Sequence, residues 1–131
     1  MKKKNVIYLL VSLNISLFIF SGCEKTPFDF RNKYCGDWNF TTDYMYFSPD
    51  SVHDTVYKYV GKVWYDEKGK INIEYRKDIT LEFEINESGE IVFDAYYIVS
   101  GSFSDKNNVS FYRQTGGHGS GVRESVSGTK K

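Results

Sequence analysis

After residue 22 the chain holds one alanine, Ala95, and one leucine, Leu81. The strongest helix formers are nearly missing, which excludes helical bundles and α/β nucleotide folds. An excess of either charge is missing too, since 17 Lys+Arg meet 17 Asp+Glu. With Lys2, Lys3 and Lys4 set aside, 14 basic and 17 acidic residues remain, a net charge of 14 − 17 = −3. That balance argues against a nucleic-acid partner, which needs clustered positive charge. No Gly-Lys pair is followed by Ser or Thr, so there is no phosphate loop. The serine of Gly117-His118-Gly119-Ser120-Gly121 comes one place late for a nucleophile elbow, and glycines 116, 117, 119 and 121 miss the dinucleotide spacing.

Histidine is scarce as well, with His53 and His118 both in predicted loops. His53 between Asp50 and Asp54 reads as a solvated loop, because the three lack metal-ligand spacing. Glu82 and Glu84, two apart on one polar strand face, suit a surface better than an acid–base pair. No catalytic residue, cofactor or metal is expected.

What is present begins with an address. Met1–Lys4 is cationic, Val6–Phe20 is an apolar run broken only by Ser12, Asn14 and Ser16, and Ser21-Gly22-Cys23 follows. This order of charge, apolar core and small residues is that of a secretory signal over residues 1–22. The run is shorter than the roughly 20 apolar residues that span a bilayer. Phe20-Ser21-Gly22-Cys23 resembles the lipobox of bacterial lipoproteins, with Phe20 in place of the usual Leu. The resemblance implies cleavage before Cys23 and acylation of that residue with chains such as palmitate. Two or three chains bind a membrane stably where one binds marginally. It also favours the outer membrane, because Glu24 and Lys25 leave unfilled the Asp position that commonly signals inner-membrane retention. Removing Cys23 from the thiol count leaves Cys35 alone, expected as a small buried hydrophobe with no internal disulfide.

Residues 23–33 read as the lipidated N-terminus and tether, and residues 34–131 as one domain. From Ile71 to Ile85 the odd positions are apolar apart from Lys77, and the even ones are polar or charged. That is period two, with one buried face. A tight turn or bulge is expected near Arg76-Lys77-Asp78, where the apolar face lapses. Turn chemistry at Asp66–Gly69, Asn86–Gly89 and Asp105–Asn108, and a longer loop at Ser48–Ser51, separates the runs. Candidate strands are Asp37–Phe47, Asp54–Tyr65, Lys70–Arg76, Asp78–Ile85, Glu90–Tyr97, Val99–Ser104, Asn108–Gln114 and Val122–Thr129. The expected fold is all-β, an antiparallel up-and-down β-barrel of about eight strands, with a β-sandwich as the alternative.

Gly36-Asp37-Trp38 resembles the Gly-x-Trp signature on the first strand of lipocalin-type barrels. The resemblance implies that Trp38 packs across the closed end, with a basic residue near the last strand, Arg123 here, covering it. The end of the chain, Val126–Lys131 after a Gly-rich loop, is similar to that of small lipocalin-like lipoproteins from Bacteroidota-type bacteria. Asp50-Ser51-Val52 and Asp54-Thr55-Val56 resemble an O-glycosylation acceptor of such bacteria, which would place sugars on Ser51 and Thr55.

Aromatic density is the remaining functional signal. Tyr57, Tyr59, Val63 and Tyr65 lie on one face of a strand whose other face carries Val56, Val60 and Trp64. Such a strand is either buried twice or displayed to a partner. Two readings stay open. One is a non-catalytic binding module for a small apolar or sugar-like ligand, lined by Trp38, Phe40, Tyr57, Tyr97 and Phe103. The other is an interaction role at the outer membrane, as an accessory subunit or inhibitor of an envelope protein, with the Tyr57–Tyr65 strand as an edge. In either case the membrane is a partner through Cys23.

Overall fold

Alternation of inward and outward side chains sets the architecture. A computed structural model describes residues 28–92 and 99–131. Its strands are β1 (Gly36–Ser48), β2 (Ser51–Tyr65), β3 (Ile71–Arg76), β4 (Ile79–Phe83), β5 (Val99–Asp105), β6 (Asn108–Gly116) and β7 (Gly121–Lys130). They form one antiparallel sheet, in the order β4-β3-β2-β1-β7-β6-β5, curled into a half-barrel. The protein is therefore all-β and barrel-like, and among the described residues a single sheet leaves no second layer for a sandwich.

The predicted strand Glu90–Tyr97 is described only at its start, and residues 93–97 lie outside the described residues. Ile85 bridges Ile91 and Glu90 bridges Ser102. The Val92 amide donates to the Glu84 carbonyl, and the Ile91 amide to that of Gly101. Residues 89–92 thus bond to the chain just past β4 on one side and to β5 on the other, drawing the sheet's two edges together at one end.

Two boundaries differ from expectation. Strand β2 resumes at Ser51, so Pro49-Asp50 is a two-residue turn and His53 is strand, not loop. Pro presets the turn backbone, and Ser48 Oγ accepts from the Ser51 amide at 3.1 Å. Between β3 and β4 both expected devices occur, a register shift between Glu74 and Arg76 and a turn with Asp78 at φ 60°. The segment read as tether also contributes to the packed body. Phe30–Tyr34 is a 3₁₀ turn, capped where the Asp29 side chain accepts from the Arg31 amide.

That turn plugs one end of the half-barrel. Tyr34 stacks on Phe103 at 4.2 Å, and Trp38 meets Phe103 edge-on at 5.7 Å. The Trp38 indole donates to the Tyr34 carbonyl at 2.9 Å, so its polar atom is satisfied although the ring is fully buried. Arg31 bonds the Gly69 carbonyl and lies over the Tyr65 ring at 5.0 Å, closing the plug from outside. Cys35 is buried beside it, its thiol donating to the Arg31 carbonyl at 3.7 Å. Arg123 does not cover Trp38. Its register partner is Met45, far along β1, and it lies over Phe47 instead. The basic residue opposite Trp38 is Lys130, which donates to the Lys33 carbonyl.

Glycines allow close approach inside the sheet. Phe40 is opposite Gly128, whose missing side chain leaves room for the ring, while Gly101 admits the Phe111 backbone and Cβ, and Gly61, opposite Trp38, admits the Glu74 backbone of β3. A Cβ at Gly128 would stand 2.6 Å from the Phe40 ring. Overfilling a packed core costs about 1–3 kcal/mol. Gly128→Val should therefore lower the unfolding free energy by that amount, read as a lower urea midpoint with an unchanged denaturant slope.

Candidate functional site

Strand β1 carries an inward row whose character changes along its length. Trp38 and Phe40, at the plugged end, are 0% and 2% exposed. Next comes Thr42, fully buried, whose hydroxyl has no hydrogen-bond partner among the described residues. Beyond it Tyr44 is half-buried and meets Tyr57 of β2 edge-on at 5.8 Å. The floor is thus apolar and filled, and polarity begins at Thr42.

A charged cluster sits at this level. Glu124 of β7 is 1% exposed, so its carboxylate has lost nearly all contact with water. Such a charge persists only if partners replace that water. Tyr75 of β3 donates to Oε2 at 2.6 Å, and Arg113 of β6 donates to the same oxygen at 3.1 Å. Arg76 Nη1 lies 3.1 Å from Oε1, an ion pair out of line for a hydrogen bond. Arg113 also donates to the Tyr75 hydroxyl at 3.0 Å. Burial, reinforced by the bond to Glu124, pushes the Tyr75 phenol well above its usual pKa.

Arg76 extends the cluster toward the open end. Its guanidinium lies over the Tyr44 ring at 5.0 Å and over the Tyr57 ring at 4.8 Å. These are distances at which a cation is attracted to an aromatic face. Two guanidinium groups against one carboxylate leave the cluster with one positive charge in excess. Arg76 and Arg113 remain about one-fifth exposed, and Tyr57 is 40% exposed. Incoming molecules can therefore reach the guanidiniums and the Tyr57 ring, but not Glu124.

The residues expected to line a ligand space separate accordingly. Trp38, Phe40 and Phe103 belong to the packed floor, while Tyr57 stands at the open end. Tyr97 lies outside the described residues. Ser51 and Thr55 are on the projecting β1–β2 hairpin, Thr55 exposed and Ser51 hydrogen-bonded to Ser48 Oγ at 3.0 Å. Among the described residues no group of three or more His, Cys, Asp or Glu is placed to hold a metal ion.

Sequence reasoning missed Glu124, Arg113 and Arg76 as one unit. Glu124 sits on the same alternation phase as Val122 and Val126, a charge on an apolar face, and that was the available signal. On the outer face a shallow cleft of about 460 Å³ runs over β2, β1, β7 and β6, lined by Met45, Val56, Tyr112 and Arg123 among others. The chain matches no family model, no curated protein and no solved structure.

The linkage for Tyr75 has a definite sign. A group whose folded pKa lies above its unfolded value contributes stability below the unfolded value and loses it as pH rises through the folded one. Deleting its hydroxyl costs about 1–3 kcal/mol at neutral pH, the penalty for an unmet buried acceptor. The wild type should exceed Tyr75→Phe by that amount at pH 7, and urea melts should show the gap closing once pH rises past about 10, the unfolded tyrosine value.

Proposed function

We propose that this chain is a lipid-anchored envelope protein whose half-barrel binds a small sugar-like or apolar ligand at its open end, without catalysis. The observation that carries this reading is the Tyr44–Arg76–Tyr57 stack at the mouth of a sheet whose opposite end is filled. Tyrosine rings offer flat apolar surface to a sugar ring or an apolar body, and guanidiniums donate in a fixed fork to hydroxyl or acidic groups. The cluster's surplus positive charge, on guanidiniums that remain about one-fifth exposed, favours a ligand that accepts hydrogen bonds. The reading is of binding because the buried carboxylate of the cluster, Glu124, is already held by Arg76, Arg113 and Tyr75, which leaves it no freedom as a base.

The membrane part of the proposal rests on Phe20-Ser21-Gly22-Cys23 and the apolar run before it. The outer membrane is the favoured site. Gly36-Asp37-Trp38, with Trp38 sealing the plugged end, supports a lipocalin-like reading of the domain.

Two measurements test these statements. Metabolic labelling should place fatty acid on the wild-type chain and none on Cys23→Ser; equal labelling of both would refute the anchor. Native mass spectrometry of the full-length chain extracted in detergent should find a small molecule bound. Tyr57→Ala and Tyr44→Ala should each lose it by about tenfold or more, the range for removing one stacking contact, while the circular dichroism stays unchanged. Retention in both variants, or no bound molecule in the wild type, would refute a ligand at the mouth.

A further inference from the structure

The β1–β2 hairpin outruns the strands beside it on one side only. Strand β1 is paired with β7 as far as Phe47, but β2 meets β3 only over Lys62–Tyr65. Pairing between β2 and β3 stops at Lys62, and past it β3 reaches β2 through side chains, Glu74 accepting from the Tyr59 hydroxyl and Arg76 lying over the Tyr57 ring; among the described residues, 51–60 therefore pair with β1 on one side and with no strand on the other. Ten extended residues form an edge of roughly 33 Å, with a row of backbone donors and acceptors open to another strand. Val52, Val56 and Val60 on its outer face are 60%, 60% and 54% exposed.

The order of side chains on that face is self-complementary. It reads Val52, Asp54, Val56, Lys58, Val60. Two copies turned about a twofold axis through Val56, normal to the sheet, would pair antiparallel. Asp54 then lies across from Lys58 in both directions, Val52 across from Val60, and Val56 across from itself. Moving the axis to residue 54 or 58 sets like charges against each other, and moving it to 55 or 57 leaves both charges without an opposite. Cross-strand pairs of opposite charge stabilise a sheet and like pairs destabilise it, so the pattern selects both the partner and the register. We infer that residues 51–60 form a homodimer interface, in which β2 of one copy extends the sheet of the other by antiparallel pairing centred on Val56.

This inference does not depend on a ligand at the mouth. Its test uses the full-length chain extracted in detergent, with native mass spectrometry as the readout and circular dichroism as the check on folding. The wild type should show a dimer at micromolar concentration. Asp54→Lys and Lys58→Asp should each weaken it by roughly tenfold or more, since each turns two attractive pairs into two repulsive ones. An equimolar mixture of the two variants should form a heterodimer, and the double variant Asp54→Lys/Lys58→Asp should recover the homodimer. A monomeric wild type, single variants that dimerise like the wild type, or a mixture that stays monomeric would each overturn the inference, as would an edge occupied only by a different protein.

Discussion

A carboxylate without water decides how this molecule is divided. Glu124 is held on β7 where its neighbours of the same phase are valine and glycine. Its charge is tolerable only because β3 supplies Tyr75 and Arg76 and β6 supplies Arg113. The same contacts mark where the apolar floor stops, since buried side chains on the plug side of that level are mostly aromatic or aliphatic, and beyond it stand Tyr44, Tyr57 and Arg76. Loss of one partner would leave a buried charge uncompensated, a far greater cost than a lost surface pair. The cluster also ties together strands that do not neighbour one another in the sheet, β3 and β7 among them.

Packing at the other end follows a different rule. Trp38, Phe40 and Phe111 are large for a half-barrel of seven strands, and at Phe40 the glycine across from it, Gly128, makes the room. The Trp38 ring then has its one donor met by a carbonyl of the 3₁₀ turn, which couples the plug to the sheet. A filled floor and a polar mouth are therefore two results of one inward row read along β1.

Much of the fold was legible from period two. The Ile71–Ile85 run gives β3 and β4 with the break at Lys77, because only there does a charged residue take an inward phase. The scarcity of Ala and Leu excluded helices for the same physical reason that Val, Ile, Tyr and Thr suit a pleated surface. The length of the β1–β2 hairpin was not legible. Pro49-Asp50 looks like the middle of a loop until Ser48 and Ser51 are seen to close it with their hydroxyls. The plug was missed because a single 3₁₀ turn has no periodicity to detect, and Phe30 and Arg31 look like tether. At the candidate site, Tyr57 was visible as an aromatic on an inward phase, whereas the Arg76–Glu124–Arg113 grouping depends on contacts across the curled sheet that no local pattern encodes.

The place where the chain enters the sheet has a geometric consequence. Asp29 and Phe30 arrive at the plugged end, and the final amide, on Lys131, returns there to bond the Asp37 carbonyl. The tip of the β1–β2 hairpin, at Pro49-Asp50, stands at the other end of β1. In the proposed dimer a half-turn about Val56 would reverse the whole body, so the plugged ends of the two copies would point in opposite directions. With the proposed lipid anchor attached at each plugged end, such a pair would be a strut, suited to two facing surfaces better than to one.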